Sequence, residues 1–157
     1  MKKFFLAIAI ALTTVTALSA AESVGAGIWF DSTADNIEGI GFGVPVISNN
    51  TTEGASLALC GNSVDKMDGV QFAMFGFNFA ESLEGVQLSF INIQDGQHGD
   101  FALQWGFYNQ AAENGIQIGF LNNAKNNASF QLGFLNINKN GLLPVMIFVN
   151  FGKDFFN

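Results

Sequence analysis

The amino-acid sequence predicts an all-β protein in which short repeated units stack as a parallel β-solenoid. Three observations favour this fold class. Apolar residues alternate with small or polar residues, no segment after Ala21 keeps a helical period, and a short motif centred on glutamine recurs along the chain. Alternation with a period of two is typical of strands with two different faces, and recurrence of a short unit is typical of stacked arrays.

The recurring unit is a glutamine flanked by apolar residues. Its clear copies contain Gln71, Gln87, Gln104, Gln117 and Gln131, with spacings of 16, 17, 13 and 14 residues. In the last four copies an asparagine follows five positions after the glutamine. Weaker copies precede these, and 141–146 forms a final copy without Gln or Asn, so about eight units cover residues 39–150.

Two architectures fit such repeats. In a short-coil parallel solenoid each unit is one coil, and stacked Gln and Asn amides hydrogen-bond along the array. The alternative is an outer-membrane β-barrel of about eight or nine antiparallel strands, which would act as a pore or a membrane-anchored adhesin. An antiparallel meander would show a two-unit period, whereas these units are equivalent one by one. We therefore favour the solenoid.

Two structural expectations follow from a solenoid. Gln117 should lie about 5 Å from Gln104 and Gln131 through adjacent strands. If the apolar side chains fill the core, Gln117 and Gly119 should be exposed. The residues expected to be buried are then Ile116, Ile118, Phe120, Leu132 and Phe134.

The first 21 residues have the pattern of a secretory signal peptide. Lys2 and Lys3 precede an apolar stretch over 4–12, and small residues follow as far as Ala21. The apolar stretch is much shorter than the roughly 20 residues that a membrane-spanning helix needs. We expect 1–21 to be a signal peptide and 22–157 to be one exported β-repeat domain. Its location would be the cell surface, outer membrane or periplasm of a bacterium.

Composition excludes several functional classes. Without residues 1–21 the chain has four lysines, no arginine and 13 acidic residues, a net charge of −9. Such a chain lacks the positive charge that attracts nucleic acid, so no nucleic-acid partner is expected. A membrane partner is expected only for the barrel. Cys60 is the single cysteine and is expected to be a small buried residue.

Candidate catalytic and metal-binding residues are few. His98 is the only histidine and lies between Asp95 and Asp100 in a polar segment that is typical of a turn. A metal site requires several converging ligands, and the carboxylates of 31–35 and 65–68 lack the spacing of a calcium loop. The sequence therefore predicts no catalytic residue, no metal site and no cofactor.

The five glutamines also suggest a binding face. In the strand they alternate with Ala, Ser or Gly, so in a solenoid with an apolar core they would form a flat, uncharged surface. Such a surface could bind a partner or a carbohydrate, or support self-association, or the Gln ladder could simply hold the register of the coils. The sequence thus predicts a non-enzymatic exported repeat protein with a structural or binding role through a Gln/Gly-rich face.

Segments 85–92 and 130–136 carry a resemblance to a known group. With h for an apolar residue, they follow most of the pattern Gly-h-Gln-h-Gly-h-h-Asn, with Ser89 at the second glycine position of 85–92 and the first glycine position outside 130–136. This resembles bacterial exported surface-repeat proteins built of such tandem units, and the resemblance covers roughly residues 37–151. It implies a surface role without catalytic residues. Gly41 and Ser56 at the Gln position and the shifted Asn78 depart from the pattern and predict less regular coils.

Overall fold

The computed structural model describes residues 24–29, 31–32, 34–96, 101–113 and 115–156. Within them the chain forms strands, turns and one 3₁₀ turn at Lys153–Phe156. The predicted signal peptide lies outside the described residues. The ten strands are β1 Val24–Trp29, β2 Asp31–Ser32, β3 Asn36–Ala58, β4 Gly61–Ala73, β5 Phe77–Leu88, β6 Ile91–Gln94, β7 Ala102–Glu113, β8 Gly115–Asn127, β9 Phe130–Asn138 and β10 Val145–Phe151.

Strands that follow one another in the sequence lie side by side in space. From β3 to β9 every pairing is parallel, and β1 also pairs with β3 in parallel. The chain therefore winds as a β-solenoid of about six turns. The prediction of a parallel solenoid is confirmed. The alternative of an antiparallel barrel is wrong, because a barrel of that kind would require neighbouring strands to alternate in direction.

The register places equivalent residues of successive units on top of one another. Gln117 pairs with Gln104 on one side and with Gln131 on the other, as expected. Asn78 aligns with Asn92 despite its longer distance from Gln71, because the turn at 74–76 absorbs the additional residues. The shifted asparagine therefore keeps its place in the stack.

A column of glycines turns the chain at one corner of the coils. The φ angles of Gly39, Gly54, Gly69 and Gly85 are 121°, 131°, 130° and 139°, and residues other than glycine rarely adopt such values. A Cβ at Gly69 would lie 2.0 Å from the carbonyl oxygen of Gly54 in the coil below. The corner therefore requires glycine both for its backbone conformation and for the close stacking of coils.

The last unit closes the solenoid instead of adding a parallel coil. Strand β10 runs antiparallel to β9, with a bulge between Ile147 and Phe148. The chain reverses after Asn138, and Gly141 forms a bridge with Gly152. The copy of the motif at 141–146 lacks Gln and Asn because this segment belongs to the cap and does not extend the stack.

Apolar side chains fill the interior only in the earlier coils. Two buried clusters occur there, one of Ile37, Ile47 and Ala58 and the other of Val64, Met67, Ala80, Leu83 and Ala102. The remaining buried positions of the described coils are mainly occupied by Gln, Asn and Ala side chains.

We predict that Gly69→Ala destabilises the protein by about 2 kcal/mol or more, since the new Cβ combines an unfavourable φ with overlap of the neighbouring backbone. The free energy of unfolding in urea measures the loss. Asp68→Ala is the matched control, because Asp68 is exposed at the same corner and should change stability by less than about 0.5 kcal/mol. Equal effects of the two changes would contradict the assigned role of Gly69.

Candidate functional site

The five glutamines of the repeat lie inside the solenoid. Gln71, Gln87, Gln104, Gln117 and Gln131 are each 0% exposed. Their predicted role as an exposed binding face is therefore wrong. The residues expected to form the core instead point outward. Phe120, Leu132 and Phe134 are 47%, 42% and 53% exposed, and Ile116 and Ile118 are only partly buried.

The buried glutamines form a continuous ladder of hydrogen bonds. After Gln71, each side-chain Nε2 donates to Oε1 of the glutamine in the preceding coil, at 2.7 Å from Gln87 to Gln71 and 2.8 Å from Gln104 to Gln87. Two further bonds, of 2.8 and 2.7 Å, extend the ladder through Gln117 to Gln131. The second hydrogen of Gln104 Nε2 is donated across the coil to the carbonyl of Gln110, at 2.8 Å. Each amide thus links neighbouring coils and also the two sides of its own coil.

A second ladder consists of asparagines, and its donors point the opposite way. Asn109 Nδ2 donates to Oδ1 of Asn122 in the following coil at 2.9 Å, and Asn122 donates to Asn136 at 2.8 Å. Each of these asparagines also donates to a backbone carbonyl of the next coil. The ladder consists of Asn62, Asn78, Asn92, Asn109, Asn122 and Asn136.

Small residues make room for the asparagine ladder. A Cβ at Gly119 would lie 2.5 Å from Nδ2 of Asn109 and 2.3 Å from the carbonyl oxygen of Gly106. At Gly133 the corresponding distance to Asn122 Nδ2 is also 2.5 Å. Gly119 and Gly133 each stand two positions after a ladder glutamine. They therefore line the interior corner that the asparagine side chains occupy.

Most ends of the two ladders are capped. The Ser56 hydroxyl donates to Asn62 Oδ1 at 2.8 Å, so the serine that replaces a glutamine terminates the asparagine ladder. At the other end Asn136 Nδ2 donates to the carbonyl of Gly133 at 2.9 Å. Oε1 of Gln131 has no hydrogen-bond partner within the described chain, because no glutamine follows it.

The apolar residues of the motif form an outer surface that we call the apolar face. It consists of three columns of stacked residues. The first column stands one position before the glutamine, the second one position after it and the third three positions after it. None of these residues is fully buried. The columns are Ile40, Ala55, Val70, Val86, Leu103, Ile116 and Phe130; Phe42, Leu57, Phe72, Leu88, Trp105, Ile118 and Leu132; and Val44, Leu59, Met74, Phe90, Phe107, Phe120 and Phe134.

The third column ends in a stack of phenylalanine rings. The ring centroids of Phe107 and Phe120 are 5.0 Å apart with planes 10° from parallel, and those of Phe120 and Phe134 are 5.0 Å apart at 6°. Phe90 continues the stack at 6.0 Å from Phe107. Because these rings lie against one another, their faces are covered and their edges point outward. This geometry does not offer the open ring faces on which a sugar would stack.

Charged residues flank the apolar face, and none lies in its three columns. Four exposed carboxylates stack at the glycine corner, each directly before its corner glycine, and this acidic column is Glu38, Glu53, Asp68 and Glu84. On the opposite side of the solenoid Lys125 forms an exposed ion pair with Asp95. This opposite side is mixed, because beside the ion pair it carries the apolar side chains of Ile91 and Ile137, which are 40% and 39% exposed.

The residues considered for chemistry do not converge in the described chain. Asp95 pairs with Lys125, while His98 and Asp100 lie outside the described residues. Asp65 and Asp68 are exposed, and no group of three His, Cys, Asp or Glu side chains within the described ranges is placed to hold a metal ion. Cys60 is partly exposed, so the expectation of a buried cysteine holds only in part.

Two depressions on the surface are lined mainly by apolar side chains. The larger, about 430 Å³, lies on the apolar face around Leu88 and Trp105. The smaller, about 140 Å³, lies beside Tyr108, Leu121 and Leu135. The larger depression lies on the apolar face, so this face is the candidate functional site.

Comparisons with family models, characterised proteins and solved structures find no match for this chain. None of the helical turns in the described residues is long and apolar enough to cross a membrane. The functional conclusions below therefore depend on the arrangement of side chains in this fold.

Sequence reasoning missed the exposure of Trp105 and of the phenylalanine column. The available signal was the size of the residues that share a strand face with glutamine, such as Ser89, Gly106 and Gly119. A coil of 13 or 14 residues has a narrow interior, and small residues together with flat amides fit such a space better than phenylalanine does.

We predict that Gln104→Met destabilises the protein by about 2–3 kcal/mol, because it removes three hydrogen bonds and leaves buried amide atoms of Gln87 and Gln117 without their partner. Gln131→Met is the matched control, since Gln131 ends the ladder and makes only two such bonds. It should cost about 1 kcal/mol less. Urea unfolding of both variants tests this order, and equal losses would show that ladder continuity contributes nothing.

Proposed function

We propose that this chain is a non-enzymatic, exported bacterial repeat protein that serves as a structural element at the cell surface or in the periplasm. Its working surface in this proposal is the apolar face and not the glutamine side chains. The observation that carries the proposal is the two-sided solenoid, with amide ladders inside and an uncharged aromatic surface along one side.

A structural role agrees with how the interior is filled. The Gln and Asn amides occupy it as hydrogen-bonded ladders, with Gln104 bonded to Gln87, to Gln110 and to Gln117. Groups held in this way are unsuited to act as nucleophiles or acid–base catalysts, since carboxamides stay neutral near pH 7 and serve only as hydrogen-bond donors and acceptors. What the ladders supply is a stack with a single register.

A binding role for the apolar face agrees with its extent. Exposed large apolar side chains occur along the whole array, from Ile40 at 43% exposed to Phe134 at 53%. Monomeric soluble proteins seldom present contiguous apolar patches of more than a few hundred Å², and larger patches mark interaction sites. The proposed element therefore works by contact with another hydrophobic surface.

Export follows from the pattern of residues 1–21 and from the resemblance to exported surface-repeat proteins. We predict that the full chain, expressed in a bacterium with two membranes, is recovered in the cell envelope or medium with its N-terminus at residue 21 or 22. Ile8→Asp, which places a charge in the apolar stretch, should retain the protein in the cytoplasm with residues 1–21 uncleaved. Fractionation followed by mass spectrometry of the N-terminal peptide measures both results.

Thr14→Ser is the control for this experiment, because it leaves the apolar stretch of 4–12 unchanged and should be exported normally. Cytoplasmic recovery of the uncleaved wild-type chain would overturn the export part of the proposal. The structural role would then have to be sought inside the cell.

A further inference from the structure

We propose that the apolar face is covered by the apolar face of a second copy of this chain, forming a two-fold symmetric dimer. This inference rests on the proposed function, since it names the partner for the same working surface. Four properties of the face support it: its area, its chemistry, its relief and the position of the charges beside it.

The area of the face matches that of a stable protein interface. Its exposed side chains, among them Phe90 at 64% and Trp105 at 62%, present roughly 1,000 Å² of apolar surface, since one aromatic side chain has about 150–250 Å² in total. The largest patch on a typical monomer is about 300–600 Å². A standard interface buries about 800 Å² on each partner, so one face is enough for one stable contact.

The chemistry of the face resembles the core of an interface between identical subunits. The three columns contain no charged residue, so covering the face would bury no charge, and the indole N–H of Trp105 is the one side-chain donor among them. Interface cores are depleted of charged residues and enriched in aromatic ones. Trp105 lies near the middle of the face, and tryptophan at a central position often contributes most to binding.

The relief of the face is suited to self-association. The column of Phe90, Phe107, Phe120 and Phe134 forms a ridge of side chains that are 64%, 48%, 47% and 53% exposed. The first column, four residues away along the strand, is lower at Ile116, which is only partly exposed. A two-fold axis parallel to the solenoid axis places each ridge over the first column of the other copy, so the two ridges do not collide.

The acidic column distinguishes a second copy from a lipid surface. The same two-fold axis puts the column that includes Glu53 and Glu84 at opposite rims of the dimer. The two columns are then roughly 20 Å apart by strand geometry, well beyond the Debye length of about 8 Å at physiological salt. Surfaces that lie in a membrane interface usually have lysine and arginine around the apolar area. Here the rim at the glycine corner is acidic.

Sedimentation velocity of the protein purified without detergent, after expression of the full chain, tests the proposal. At micromolar concentration we expect twice the monomer mass. Phe107→Lys with Phe120→Lys should weaken the dimer at least tenfold, because both charges would lie on the ridge that the interface covers. Gln110→Lys with Asn123→Lys is the matched control, since it adds the same charges to the same coils on the opposite side of the solenoid and should leave the dimer unchanged.

If the double phenylalanine variant does not fold, the oligomeric state of the wild-type protein alone still tests the dimer. A wild-type monomer at tens of micromolar overturns the dimer, and so does equal dimerisation of the two double variants when circular dichroism shows both to be folded. Flotation with phosphatidylcholine vesicles by a monomeric wild type would assign the face to lipid instead. That result would leave the proposed exported role intact, whereas failure of export would leave the dimer untouched.

Discussion

Hydrogen bonding between side-chain amides of neighbouring coils is the interaction on which this structure depends. Burial of an amide is costly unless its donors and acceptor are satisfied, and along the ladders most of these groups bond to an identical amide one strand spacing away. Such a match is possible only if the coils are parallel, in register and alike. The parallel pairing, the alignment of Gln104 with Gln117, and the glycine columns all follow from this one requirement.

The amide core reverses the usual distribution of polar and apolar residues. Amides hold the centre, and the phenylalanines that would form the core of an ordinary β-sandwich lie outside. The energetic cause is the narrow interior, which leaves little volume for large side chains but suits a flat amide that bonds to both neighbouring coils.

The strands, the parallel stacking and the contacts of Gln117 with its neighbours could be predicted, because repeat spacing and alternation of residue type determine them. The direction of the two strand faces could not be predicted in the same way. Alternation separates Gln117 and Gly119 from Ile118 and Phe120, but by itself it does not say which set points inward. The usual preference for a phenylalanine core gave the wrong orientation, and with it the wrong binding face. Small residues beside each glutamine were the signal that could have corrected it.

The opposite directions of the two ladders have an electrostatic consequence. In an α-helix aligned peptide dipoles add up, so the two ends acquire partial charges that grow to a limit with length. Here each coil contributes one glutamine amide dipole and one asparagine amide dipole that largely cancel, and β-sheets have little net dipole of their own. The array therefore gains no polarity when a coil is inserted or deleted. Duplication of a unit within the gene could change the length of such a protein without altering the electrostatics at either end.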